Sequence, residues 1–473
     1  VNNKFKKFFR NFSYTFIANS LSIIISTVLI VLVPRFVGVD DYGYWQLYLF
    51  YTSYISYMSL GLTDGAYLRY GGHEYSDLYK PVFVSQYWFL VIFDIVINTS
   101  IALLYSSVAT DTSKTIVIVL TCLTGVLVVP RSLLTFILQA TNRIKEFSII
   151  LILERLIYFI LVITFLLIGV EQFEYLIVAD IIGKIFSVLY SFFACKELVF
   201  GKLASIKISI KETWVNISVG SKLLFANFAS MLIIGIIRFC IEKKWDIETF
   251  GKVSLTLSIC NMLMMFINSI AIVLFPTLRR TSKENLPAIY QTMRSMITVP
   301  LLGFLILYYP AKVIFSAWLP NYAESLTYMA LLFPICLYEG KMLLLINTYL
   351  KTLRKEKLML VINLITVGLS IIMTSLSVFI LNNITLSILN IVILLAFRCI
   401  ITELYLSKVL KVQVKKDIIL EICMTVIFIL VSWTLTFPFA LIMYLAAYAV
   451  YLFIKKGDIV YLLRSIKSIY NAR

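Results

Sequence analysis

The sequence predicts an all-α integral membrane protein of about 14 transmembrane helices, and three observations predict it. Apolar residues make up 61% of the chain and charged residues only 14%, against roughly 45–50% and about 25% in soluble domains. The apolar residues run in stretches long enough to cross a bilayer, which takes about 20 residues per helix. The net charge of +17 sits in short basic clusters between those stretches, the pattern of the positive-inside rule. With a mean hydropathy of +0.94, a soluble enzyme, a disordered chain and a secreted disulfide scaffold are excluded. A basic balance also suits nucleic acid, but the placement of the clusters fits the membrane rule, and no nucleic-acid partner is expected.

Fourteen apolar runs lie near 12–34, 44–68, 82–107, 115–140, 147–169, 173–195, 218–240, 251–276, 293–318, 323–350, 358–381, 384–407, 417–436 and 438–454. The first follows Lys4, Lys6, Lys7 and Arg10 as a signal peptide would. Its 23 residues are long for a signal h-region and no small-residue cleavage site follows, so it reads as a retained span. With the N-terminus inside, 30 of the 42 Lys and Arg residues fall in inner loops and tails. Six lie outside or at the outer rim, namely Arg35, Lys114, Lys243, Lys244, Lys252 and Lys312. That asymmetry predicts both termini in the cytoplasm. The inner stretch 196–217 mixes Lys202, Lys207 and Lys211 with Leu203, Ile206, Ile208 and Ile210, as an amphipathic surface helix or short strand would. The tail at 457–470 spaces Val460, Leu463, Ile466 and Ile469 for a helix on the inner leaflet. Seven scattered cysteines without a C-x-x-C predict neither a disulfide framework nor a zinc site, and His73 reads as a solvated loop residue. Tyr44, Tyr48 and Tyr51 form a stripe on the second span that packing explains better than sugar stacking.

An internal repeat is visible. Val39-Asp40-Asp41-Tyr42-Gly43 precedes the second span and Ile247-Glu248-Thr249-Phe250-Gly251 the eighth, 208 residues later; Leu68-Arg69 and Leu278-Arg279 follow at an offset of 210. An even number of spans per unit makes the repeats parallel. The expected organisation is therefore a six-helix bundle at 1–195, a cytoplasmic linker at 196–217, a second six-helix bundle at 218–407, and two additional helices with the amphipathic tail at 408–473. The bundles are expected to relate by a pseudo-two-fold axis along the membrane normal.

Pro34-Arg35-Phe36-Val37-Gly38-Val39-Asp40-Asp41-Tyr42-Gly43 resembles the first outer loop of O-antigen and capsular polysaccharide flippases. Gly61-Leu62 through Leu68-Arg69-Tyr70-Gly71 resembles the end of their second span, and Phe275-Pro276-Thr277-Leu278-Arg279 the end of their eighth. These proteins belong to the multidrug/oligosaccharidyl-lipid/polysaccharide (MOP) superfamily. The resemblance implies a flippase in a bacterial plasma (inner) membrane. Its partner would be a lipid-linked oligosaccharide carried on polyprenyl diphosphate, a precursor of capsule, O-antigen or teichoic acid. Other polysaccharide-assembly proteins would join it. No substrate-binding residue falls in the matched motifs.

Six cations lie within spans: Arg131, Arg155, Lys184, Arg238, Lys341 and Arg398. Each costs roughly 2.5–3.5 kcal/mol at a helix centre facing lipid, so most must face a wet cavity or an acid. Asp180 and Lys184 can meet at i,i+4. Glu154 and Arg155 diverge by about 100°, as adjacent helical residues do, and Glu339 and Lys341 diverge likewise. Arg131 and Arg398 have no acid within four residues. Arg238 can snorkel to the outer rim. Arg131, Arg398, Lys341, Arg155 and Lys184 therefore read as a cationic cavity for a diphosphate, which guanidinium groups grip bidentately. Asp94, Asp180 and Glu339 are the candidates for coupling to a proton or a sodium ion. No P-loop, metal-ligand cluster or catalytic constellation occurs, so neither a cofactor nor an enzyme is expected. A cation-coupled multidrug exporter of the same superfamily is the alternative, and a membrane-embedded glycan polymerase or transferase the alternative from another class. The charge asymmetry has a direct test. In a background without native cysteines, Asp40→Cys, Lys114→Cys and Glu171→Cys will react with an impermeant thiol reagent added outside. Lys202→Cys and Lys355→Cys will not, and labelling there reverses the topology.

Overall fold

The computed structural model describes residues 2–279, 286–353 and 355–458. Among them there are helices, turns and no strand, and the chain divides into two compact units, Val1–Phe228 and Ala229–Arg473. The first unit holds α1 (Asn2–Phe36), α2 (Val39–Ile55), α3 (Leu62–Tyr70), α4 (Lys80–Val108), α5 (Thr112–Ala140), α6 (Ile144–Leu167), α7 (Phe173–Ala194) and the single turn α8 (Lys196–Val199). Helix α9 (Ile206–Lys244) carries the chain into the second unit. There follow α10 (Ile247–Arg279), α11 (Leu286–Phe304), α12 (Tyr308–Trp318), α13 (Met329–Leu332), α14 (Ile335–Lys341), α15 (Asn347–Thr352), α16 (Glu356–Ser375), α17 (Ile384–Leu410), α18 (Lys415–Thr434) and α19 (Phe439–Ile454).

Eleven helical segments among the described residues are long and apolar enough to cross a membrane. The three other expected runs are helical too: the second is split into α2 and α3, the eighth is α10, and the fourteenth is α19 at 16 residues. This is a multi-pass, all-α membrane protein. Its perimeter is apolar, with Val108, Leu167 and Phe193 each more than 80% exposed, a surface that acyl chains cover and water would not tolerate.

Local chemistry fixes where helices start. The carboxylate of Asp111 accepts the Lys114 N–H at 3.0 Å to open α5, that of Asp246 accepts the Thr249 N–H at 2.7 Å to open α10, and the Asn383 amide oxygen accepts the Leu386 N–H at 2.9 Å to open α17. The donors of Thr249 hold the Asp246 carboxyl below the usual carboxylate range. The two copies of the repeated motif occupy the same station: Val39 begins α2 and Ile247 begins α10, with Tyr42 and Phe250 buried in the first turn of each.

In the first unit α5 is the axis, packed on α2, α3, α4, α6 and α7. The second span breaks because Leu60 and Gly61 both take left-handed backbone, φ 54° and 86°, which glycine adopts without penalty. The break frees α3 to cross α9 with backbones in contact. A Cβ at Gly65 would lie 1.8 Å from the Asn216 carbonyl oxygen, and one at Gly220 would lie 2.0 Å from that of Gly61. Small residues four apart permit such crossings. One turn further on, the Arg69 guanidinium donates to Asn216 at 2.6 Å and to Glu212 at 2.8 Å. Residues 206–217, expected as a surface helix or strand in a linker, are thus the first three turns of α9, and α3 holds them. The expected surface helix at 457–470 lies, from residue 459 on, outside the described residues.

In the second unit α14 packs on α10, α11 and α17, and α17 on α13, α14 and α16. The chain from Ser325 to Thr352 is almost wholly buried and takes a π-helical turn at Met342–Ile346, directly after Lys341. The glycine crossing yields a stability prediction. Gly65→Ala and Gly220→Ala will lower the thermal unfolding temperature in detergent, overpacking costing about 1–3 kcal/mol. Gly368→Ala, where an added Cβ meets nothing within 4 Å, will leave it unchanged or raise it.

Candidate functional site: two buried ion-pair networks

In the first unit four helices converge on one polar cluster. Arg131 of α5 donates to the Glu154 carboxylate of α6 and to the Ser187 hydroxyl of α7. Lys184 of α7 pairs with Asp180 one turn back, and its ammonium lies 3.9 Å from Glu154. Tyr48 of α2 donates to Asp180 at 2.5 Å and shares a hydrogen bond of 2.9 Å with Thr124 of α5. Gly183 makes this geometry possible: a Cβ there would lie 2.6 Å from the Glu154 carbonyl oxygen, so α6 and α7 touch where their charges meet. Arg155 is half-buried on the neighbouring face of α6 and forms no ion pair among the described residues. The cluster therefore sets three cations, Arg131, Arg155 and Lys184, against two carboxylates.

In the second unit the charges close into a ring. Lys341 of α14 donates to Glu403 of α17 and to Glu421 of α18, each at 2.6 Å. Arg294 of α11 donates to the other oxygen of Glu403 at 2.6 Å and to the other oxygen of Glu421. Lys341 and Glu403 are 0% exposed. Arg294 also meets Asp417 at 2.9 Å, and Asp417 in turn takes Lys455. A separate contact joins Arg398 of α17 to Glu339 of α14, and to Ser230 of α9 at 2.7 Å. Two cations and two carboxylates with both carboxylate oxygens satisfied is the arrangement in which burial of charge is tolerable.

The structure thus corrects the expectation that Arg131 and Arg398 lack acids. Their partners come from other helices, beyond the reach of an i,i+4 search. Glu339 and Lys341 do diverge, each to its own partner, and Asp180 and Lys184 do pair. Arg238 donates to Ser254 at 2.9 Å and lies over the Phe250 ring, both near the start of α10. Tyr48 of the aromatic stripe is buried in the cluster, while Tyr44 bonds Asp111 and packs on Phe173. Under a six-span repeat the counterpart of the fourth span is the tenth, and Lys341 lies 210 residues after Arg131. In Asp94 of α4, by contrast, both carboxylate oxygens are buried without a hydrogen bond among the described residues.

Sequence reading missed Arg294, which counted as an inner-loop cation, and Glu421. The available signal was stoichiometric, since two glutamates in neighbouring apolar runs demand cations from somewhere. An apolar groove of about 480 Å³ lies between α17 and α18, lined by Ile393, Phe397, Ile422 and Val426 among others; without charge, it suits acyl chains. Among the described residues no group of three or more His, Cys, Asp or Glu is placed to hold a metal. The two networks predict different sensitivities. Lys341→Ala leaves two buried glutamates sharing one arginine and will cost about 3–5 kcal/mol, read as loss of folded protein on size-exclusion chromatography. Arg155→Ala, which breaks no pair, will insert and fold as the parent does.

No protein-family model matches the chain, and no curated protein matches it in sequence. Solved structures do resemble it. A multidrug resistance MATE family transporter of the MOP superfamily, in its inward-facing conformation, superposes with a TM-score of 0.62 over 83% of this chain and 94% of that one, at 11% identity. A MATE protein in complex with MaD5 gives a TM-score of 0.52 over 83% and 92%, also at 11% identity. The chain therefore has the helical fold of MATE transporters of the MOP superfamily.

Proposed function

We propose that the protein is a transporter, not an enzyme, that flips a polyprenyl-diphosphate-linked oligosaccharide from the inner to the outer leaflet by alternating access. It would work in a bacterial plasma membrane with both termini cytoplasmic. The fold supports transport, and the flippase-like motifs at 34–43, 61–71 and 275–279 support the substrate class. The observation that carries the reading is the imbalance in the first unit: Arg131 and Lys184 take Glu154 and Asp180, and Arg155, near enough to Glu154 to act on its charge, has no ion-pair partner of its own among the described residues. An anion completes such a set. Arg155 offers its guanidinium outright, and Arg131 and Lys184 can exchange a carboxylate for phosphate oxygens. Guanidinium groups grip phosphate with two parallel hydrogen bonds and stay charged in a site of low polarity. Within the second unit Arg398 is a separate anion candidate, because its partner Glu339 is 27% exposed and can yield to a competing anion. Lys341 is saturated by two carboxylates and serves the ring.

A multidrug exporter is the second reading, favoured by the similarity to a transporter described as a multidrug resistance protein. Cationic drugs require surplus carboxylate, which the cluster lacks. A membrane-embedded polymerase would need an outer segment large enough to hold sugar chemistry, whereas α1 and α2, α4 and α5, and α6 and α7 are joined by links of 2 to 5 residues. Reconstituted vesicles loaded with a fluorescent polyprenyl-diphosphate oligosaccharide decide between these. Loss of a charge-assisted contact, about 1.5–3 kcal/mol, predicts at least a tenfold slower flipping in Arg155→Ala and Arg131→Ala. Arg155→Lys will recover part of the rate. Parent-like flipping in both alanine variants removes the diphosphate role, and transport of a cationic dye without lipid flipping establishes the multidrug reading.

A further inference from the structure

Five acids within the spans meet cations: Glu154, Asp180, Glu339, Glu403 and Glu421. Asp94 does not. It sits midway along α4, is 0% exposed, and neither of its carboxylate oxygens has a hydrogen-bond partner. The ionisable groups on the elements packed against α4 are placed elsewhere. On α5, Lys114 is in the first turn and Arg131 is engaged by Glu154 and Ser187; Cys122 lies between them as a free thiol. On α8, Glu197 pairs with Lys80 at the start of α4. On α9, Glu212 is held by Arg69.

The surroundings of Asp94 lead to the cluster described above. Asn98, one turn on, donates to the Asp94 carbonyl at 2.9 Å. Its amide oxygen lies against Gly125, where a Cβ would come within 2.7 Å. The residue before Gly125 is Thr124, which bonds Tyr48, which bonds Asp180. The carboxyl is thus one helical turn and one helix away from the ion pairs, across a seam with room for no side chain.

An ionised carboxylate in that position, shut off from bulk solvent and with neither a cation nor a donor among the described residues, is a costly state for a charge in hydrocarbon. A metal cation requires several ligands, and among the described residues Asp94 belongs to no group of three or more His, Cys, Asp or Glu. We propose that Asp94 is a proton-binding site: the carboxylate takes one proton from water to form the neutral acid when the α4–α5 seam is closed, and returns it when the seam admits water. In a transport cycle, a role that rests on the reading given above, the proton would then tie the opening of the seam to the pH on the side to which it opens.

Infrared difference spectroscopy of the full chain in lipid vesicles tests the site without any substrate. Above pH ~5 an ordinary aspartate, pKa about 3.9, is ionised. The parent protein will nevertheless show a protonated-carboxyl band at neutral pH. It will shift when aspartate is isotope-labelled, be lost in Asp94→Asn, and persist in Asp180→Asn and Glu339→Gln. No such band in the parent, no isotope shift, or a band that survives Asp94→Asn overturns the proposal; the isotope measurement stands even if the variant fails to insert. Vesicles holding a pH dye test the coupling. Polyprenyl diphosphate will elicit proton movement with the parent and none with Asp94→Asn. An Asp94 band without that movement overturns the coupling to this substrate class and leaves the proton site in place.

Discussion

A charge placed in hydrocarbon must find a countercharge, and that constraint organises both units. The helices carrying Arg131, Glu154 and Lys184 cannot slide or rotate independently, because each displacement would leave a bare ion where water is scarce. The same holds for α11, α14, α17 and α18 around Arg294, Lys341, Glu403 and Glu421. Close helix packing follows from these pairs, and glycines are found where it is tightest, Gly183 against Glu154 and Gly65 against Asn216. The two clusters differ in balance. The ring in the second unit satisfies all four of its members, whereas the cluster in the first leaves Arg155 without an ion-pair partner of its own among the described residues. A closed ring fixes structure, and an open set can receive a ligand.

Much of the fold was legible because hydrophobic length is a one-dimensional property. Fourteen apolar runs correspond to helical segments, since a chain in lipid has no other way to satisfy its backbone. The break in the second span was not legible. Leu60-Gly61 is an unremarkable pair within an apolar run, and only the crossing by α9 accounts for a turn there. Residues 206–217 are helical and largely exposed, as one of their two readings had it; nothing local reveals that the helix runs on into α9 or that Glu212 and Asn216 face Arg69.

The site was legible in its members and not in its pairing. Six span cations stood out against the apolar background, and the i,i+4 pair Asp180–Lys184 could be read directly. The remaining pairs join residues 23 to 127 positions apart, and helix periodicity carries no information at that range. Arg294 escaped notice because a cation near a span end looks like a loop cation. Its burial follows from the two glutamates it answers.

The ring of the second unit also bears on how the chain is made. Arg294 is synthesised 109 residues before Glu403, and Lys341 is 80 residues ahead of Glu421. At roughly 5–20 residues per second, Arg294 waits on the order of 5–20 s for its first carboxylate. Arg131, only 23 residues ahead of Glu154, waits about 1–5 s at the same rate. The ring of the second unit therefore closes only after its early helices have left the ribosome. Until then each unpaired charge of its early helices carries a cost of roughly 2.5–3.5 kcal/mol in hydrocarbon, which snorkelling towards the headgroups or contact with the insertion machinery can relieve.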